Sequence, residues 1–188
     1  DTEYKTIRYL AENVHDFAWF ADKTFYVQKS QVVLNSGKKV DIWTMFNTIQ
    51  LWDSSVHYVN RSVEFYSKLV GEYPWPQATA VESALSAGGG MEYPMITVIG
   101  PSYTKEDLDD VITHEVGHNW FYGILASNER EHPYMDEGIN TYYENRYMKA
   151  YYAKTDVFSL PASMTKWLGK FNIGQMAYLA FARNYSDQ

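Results

Sequence analysis

The sequence predicts an α+β domain, and three observations carry that prediction. Strand-like alternation and turn residues occupy the first 45 or so of its 188 residues. Helical periodicity dominates the later part of the chain. The ordering is β early and α late, without the regular β-α alternation of a parallel doubly wound sheet. The expected architecture is a small antiparallel or mixed sheet followed by helices.

Each element has its own local reason. Tyr4-Lys5-Thr6-Ile7-Arg8-Tyr9-Leu10 alternates and is rich in strand formers, so it is expected as a first strand. A second lies between Phe17 and Val33, clearest at Thr24-Phe25-Tyr26-Val27-Gln28. Asn35-Ser36-Gly37-Lys38-Lys39 is a turn, and Val40 to Phe46 is its hairpin partner. An amphipathic helix is expected from about Ile49 to Leu69, ended by Gly71 and Pro74. Met95-Ile96-Thr97-Val98-Ile99 reads as a strand closed by Gly100-Pro101, with Pro94 suited to a sheet edge because it has no N–H to donate. Thr104 is the expected N-cap of the next helix, with Asp107 completing a capping box and Asp109 and Asp110 adding negative charge near its start. Pro133 to Gly138 reads as a loop entering a further helix, with Asp136 as N-cap and Glu137 in the first turn. Helices are expected at Tyr142 to Lys154, Ala162 to Phe171 and Gln175 to Arg183.

The chemistry lies in His114-Glu115-Val116-Gly117-His118 and in Glu137. Histidines four apart on a helix point the same way, so both imidazoles can reach one metal ion. Glu115 lies between them, where it can address a water at that ion. Eighteen residues, 119 to 136, separate His118 from Glu137, enough for one helix to end and the next to begin. His114, His118 and Glu137 make a two-histidine, one-glutamate set, which leaves a tetrahedral zinc ion one open position, as catalytic sites do. Glu144, seven residues past Glu137, either orients a ligand histidine through its second nitrogen or faces solvent. The remaining histidines read otherwise: His15 as structural, His57 as a surface or groove residue, and His132 as a loop residue beside a proline.

This spacing resembles the gluzincins, and in particular peptidase family M1. A second motif agrees: Gly89-Gly90-Met91-Glu92-Tyr93 is similar to that family's G-x-M-E-N signature and stands upstream of the metal motif, as it does there. Ala11 to Trp19 resembles the family's entry into its catalytic domain. The resemblance implies a thermolysin-like catalytic domain spanning residues 1–188, as part of a larger chain with flanking domains. It implies one Zn²⁺ ion on His114, His118 and Glu137, with Glu115 as general base. Gly89, Gly90, Met91 and Glu92 would bind substrate, the Glu92 carboxylate holding the free α-amine of a peptide. Departures are Tyr93 in place of the asparagine, Met135-Asp136 before the third ligand, and a displaced glycine at Gly123. The family's oxyanion tyrosine is expected beyond Gln188, with Tyr178 reading as core and Tyr185 as an available but weaker candidate.

Composition narrows the classes further. A net charge of −7 with scattered basic residues argues against nucleic acid and anionic membranes as partners. No apolar run is long enough to span a bilayer. With 0 cysteines, disulfides and thiolate ligands are excluded, while the compartment stays open. The expected function is zinc-dependent removal of N-terminal residues from peptides with a free N-terminus. The alternatives are a gluzincin-type zinc endopeptidase and a non-catalytic, zinc-stabilised binding domain.

Overall fold

The computed structural model describes residues 3–85 and 89–152. A five-stranded mixed sheet with strand order β1-β2-β3-β5-β4 is its framework. β1 (Tyr26–Val33) and β2 (Lys39–Phe46) form the expected antiparallel hairpin, Tyr26 opposite Phe46. Its turn closes through Leu34 N–H to the Lys38 carbonyl at 2.8 Å, with Gly37 at φ +85°, a conformation glycine takes without steric penalty. β3 (Gln77–Glu82) runs parallel to both β2 and β5 (Ile96–Ile99). Its Ala78, Thr79, Ala80 and Val81 are all buried, as expected for a strand covered on both faces. β4 (Gly90–Met91) pairs antiparallel with β5 and forms the sheet edge.

β2 alternates, with Val40, Ile42, Thr44 and Phe46 buried. α1 (Ile49–Trp52) and α2 (Ser55–Leu69) follow it. α2 buries Ser55, Tyr58, Val59, Ser62, Val63 and Tyr66, one stripe at helical spacing. Two hydroxyl pairs tie this stripe to its neighbours: Ser55 donates to Thr44 of β2 at 3.0 Å, and Ser62 meets Thr113 of α3 at 2.7 Å. α3 (Lys105–His118) starts with the expected capping box, Asp107 N–H donating to Thr104 Oγ1 at 3.0 Å and Thr104 N–H donating back to Asp107 Oδ2 at 3.1 Å. The chain then widens into π-helical turns at Asn119–Ile124 and Tyr134–Gly138, and the second runs directly into α4 (Ile139–Tyr152). Local π geometry is common where a helix serves a site.

Arg61 of α2, Asp109 of α3 and Tyr147 of α4 lock the three helices together. The Arg61 guanidinium pairs with the Asp109 carboxylate, and Tyr147 donates to Asp109 Oδ1 at 2.8 Å. Arg61 also lies over the Tyr151 ring at 4.2 Å. This charge can be buried because its partners satisfy it.

Three expectations are corrected. Tyr4 to Leu10 is not a strand. It finds no ladder partner among the described residues, and Tyr4 and Leu10 are exposed, so alternation alone lacks the pairing a strand requires. The helix expected from Ile49 to Leu69 breaks at Asp53-Ser54. The strand at 96–99 is interior, and the edge is β4. Pro94 sits in a buried turn before β5. The expected helices at 162–171 and 175–183, with Tyr178 and Tyr185, lie outside the described residues.

Candidate metal centre

α3 carries His114, Glu115 and His118, and the π-helical turn ahead of α4 carries Glu137. The two Nε2 atoms of the histidines lie 3.0 Å apart. Glu137 Oε2 is 3.3 Å from His114 Nε2 and 3.7 Å from His118 Nε2. Donor atoms on a tetrahedral zinc ion at about 2.0–2.1 Å are separated by about 3.3–3.4 Å. The triangle therefore has the size that this ion requires.

The outer nitrogens settle which atoms face inward. His114 Nδ1 meets Glu144 Oε2 at 2.7 Å, and His118 Nδ1 meets Asp136 Oδ1 at 2.5 Å. Ionised carboxylates only accept, so each Nδ1 carries hydrogen, and in the neutral ring that a metal ligand requires the Nε2 lone pair faces inward. Two lone pairs and a carboxylate oxygen converging on one point repel unless a cation lies between them. The same shortage appears in the protonation balance. Burial lowers the His114 pKa, but Glu137 and Glu144 outweigh it and push it up to about 10. For His118 too, the raising effect of Asp136 overcomes burial. Glu137 is held below the usual carboxylate range, chiefly by its bond to His114. The donor set fits a divalent cation.

Glu115 is 5 % exposed, and its Oε2 has no hydrogen-bond partner among the described residues. Burial pushes its pKa up to about 7, against the pull of both histidines. An orphaned carboxylate oxygen beside three converging donors suits a water or substrate proton. The edge strand lies against it. A Cβ built on Gly90 would come 2.4 Å from Cγ, Cδ and Oε1 of Glu115, so only glycine fits there. Gly89 adopts φ +67°, Met91 is half-buried, and its carbonyl accepts from Thr97 Oγ1 at 3.0 Å. Glu92 joins the site: one of its carboxylate oxygens lies within 4.8 Å of ligating atoms of Glu115 and His118. Burial raises its pKa, opposed by His118.

His114, Glu115, His118, Glu137, Gly90 and Glu92 thus lie together, with Gly89 and Met91 flanking Gly90 in the chain, and Glu144 bonds His114 Nδ1. Asp136 is corrected. It is no N-cap, because helical turns already begin at Tyr134, and its buried carboxylate faces His118 instead. Asn140 was missed: its Nδ2 donates to the His114 carbonyl at 2.7 Å, and its Oδ1 accepts from Tyr66 at 3.3 Å. Gly117 leaves room for it, since a Cβ there would lie 2.0 Å from Asn140 Oδ1. Glu129 was missed too, and burial together with Glu92 and Asp136 raises its pKa. No periodicity marks such residues, because their partners come from other elements. His57 and His132 are exposed, and His15 packs edge-on against Tyr122 at 4.4 Å, clear of the ligand set.

A mixed sheet, paired helices and this donor set define an α+β fold of the kind found in metallopeptidase catalytic domains. The sequence profile described as the peptidase family M1 domain matches residues 54–176, and the chain belongs to that family. Among curated proteins it is similar to leucine aminopeptidase 2 of Aspergillus niger, 35% identical over 86 residues that make up 44% of this chain and 14% of that protein. It is similar also to a leukotriene A-4 hydrolase homolog of Botryotinia fuckeliana, 32% identical over 91 residues, 47% of this chain and 14% of that one. The matched segments thus span about a seventh of the length of these relatives. Two solved structures share the fold. An aminopeptidase A of Legionella pneumophila, in complex with aspartic acid, matches with TM-score 0.56 and 13% identity over 67% of this chain and 16% of that chain. An M1 zinc metallopeptidase of Deinococcus radiodurans matches with TM-score 0.54 and 14% identity over 79% of this chain and 33% of that chain. Among the described residues, no helix is long and apolar enough to cross a membrane.

Proposed function

We propose that this chain is the catalytic domain of a zinc aminopeptidase, part of a longer protein, acting on peptides with a free N-terminus. One observation carries the reading: three donor atoms converge with edges of 3.0, 3.3 and 3.7 Å while both histidine Nδ1 atoms are committed to carboxylates. His114, His118 and Glu137 would hold one zinc ion. When bound, zinc supplies a Lewis acid to the reaction.

The chain's own residues do the rest. Glu115, nearly buried and with a pKa near neutrality, accepts the proton of the attacking water and returns it to the leaving amine. Its free Oε2 is the atom for that transfer. Glu92 stands beside it on the next segment and would pair with the substrate's α-ammonium, so cleavage is counted from the N-terminus. Among the described residues β4 has one neighbour, β5, and its other edge would take an extended peptide as an added strand. Glu144 and Asp136 hold the imidazoles in one tautomer and one orientation.

The test uses the purified, zinc-loaded protein and matched peptides with free and acetylated N-termini. Cleavage of the free peptide with rejection of the acetylated one is expected. Glu115→Gln should keep its zinc and lose roughly 10²–10⁴-fold in kcat. Equal cleavage of both peptides would replace the aminopeptidase reading with the endopeptidase one. Wild-type turnover in Glu115→Gln would overturn the mechanism.

A further inference from the structure

Asn119 follows the second histidine directly, and its side chain reaches the loop that carries Glu92. The residue is 3 % exposed, and its amide is bonded through both oxygen and nitrogen. Oδ1 accepts the Met95 backbone N–H at 2.9 Å and lies 3.3 Å from the Tyr73 hydroxyl, which also reaches the Gln77 carbonyl at 3.0 Å, while Nδ2 donates to the Val116 carbonyl at 3.0 Å. Its orientation is therefore fixed: the oxygen faces the Met95 N–H and the nitrogen faces a carbonyl.

Met95 is an unusual partner. Tyr93-Pro94-Met95-Ile96 is a turn closed by Ile96 N–H to the Tyr93 carbonyl at 3.1 Å. Proline suits its second position, and the third position takes a left-handed backbone, where glycine is usual. Here that residue is a buried methionine at φ +65°. A non-glycine residue stays in this region only where its surroundings hold it. A buried N–H also needs an acceptor, and the Asn119 side chain provides it.

The loop meets α3 and its continuation at two places, while the Met95 carbonyl also accepts from Thr79 N–H at 2.9 Å and the Gly89 carbonyl from Gly100 N–H at 2.7 Å. At one end Gly90 abuts Glu115, with Thr97 fastening the Met91 carbonyl at 3.0 Å. At the other end Met95 is tied to Asn119, four residues past Glu115. Glu92 lies between these two points. We infer that Asn119 is a positioning residue: it holds the strained turn at Met95 and thereby sets where the Glu92 carboxylate stands relative to Glu115. This rests on the function proposed above.

The substitutions Asn119→Ala and Tyr73→Phe test it. Both remove hydrogen bonds of the same buried cluster, but only the first removes the acceptor of the Met95 N–H. In the zinc-loaded protein, Asn119→Ala should keep one zinc per chain and raise KM for a free-amine aminoacyl p-nitroanilide at least tenfold. Its effect on kcat should be smaller. Tyr73→Phe should lower the melting temperature and leave KM within about twofold of wild type. A KM unchanged in Asn119→Ala, or raised equally in both variants, would reduce Asn119 to a structural role. Amide hydrogen exchange of the wild-type protein gives a readout independent of activity and of whether Asn119→Ala folds. The Met95 amide should exchange as slowly as those of α3, and rapid exchange overturns the inference. Absence of zinc or of turnover in the wild type would instead count against the function proposed above, with the exchange result still deciding the role of Asn119.

Discussion

Replacing Gly117 by alanine pits local helix preference against tertiary packing. In an exposed helix interior, glycine to alanine stabilises by about 1 kcal/mol. Gly117 is buried in the last turn of α3, and a Cβ there would stand 2.0 Å from Asn140 Oδ1 and 2.5 Å from the Tyr66 hydroxyl. Neither neighbour is the loose end of a flexible chain, for both residues are 0 % exposed. Overpacking of this kind costs about 1–3 kcal/mol. Moving Asn140 aside also breaks its bonds to the His114 carbonyl and to Tyr66, at about 1 kcal/mol each. Set against the helix gain, the net loss is about 2–4 kcal/mol. For a domain of this size that lowers the melting temperature by roughly 4–16 °C. Because Asn140 joins α4 to α3, zinc affinity should fall as well. Thermal unfolding of the zinc-loaded wild type and variant, with a zinc titration of each, gives both numbers. A melting temperature equal to or above wild type would show that the junction relaxes freely and would refute the packing argument.

Three other outcomes are expected. Gly90→Ala drives a Cβ to 2.4 Å from the Glu115 carboxylate, so kcat should fall about 10²-fold with zinc retained; steady-state kinetics and metal content check this. Glu144→Gln and Asp136→Asn each weaken the acceptor on a histidine Nδ1, and each should reduce zinc affinity by about 10–100-fold in a competition titration. Asp109→Ala leaves the Arg61 guanidinium without its buried carboxylate. It should cost about 3–5 kcal/mol in a denaturant titration and leave zinc affinity close to wild type, since Asp109 lies more than a turn before His114.

How much of this was legible in advance depended on how local its cause was. The capping box at Thr104, the β1–β2 hairpin around Gly37 and the buried stripe of α2 each follow from neighbours within a few residues, and each is where periodicity and turn chemistry put it. The ligand motif is local in the same sense, because a four-residue helical spacing alone brings His114 and His118 to one side. Tyr4 to Leu10 marks the other limit. It has the composition of a strand, but a strand needs a partner, and composition does not say whether one is present.

What the sequence by itself determined is the α+β class and which residues are candidates to hold a metal. Only the tertiary structure decided the rest. It made Asp136 a partner of His118 instead of a helix cap, chose β4 as the sheet edge, and brought Gly90 onto Glu115. It also placed the Asn119 amide under Met95 and the Asn140 amide under His114, across 24 and 26 residues of sequence. The physical reason is range. Backbone propensity and side-chain spacing act over a turn or two, whereas a buried polar group takes whichever partner the packed elements bring within 3 Å, and that choice is made only when the chain has folded.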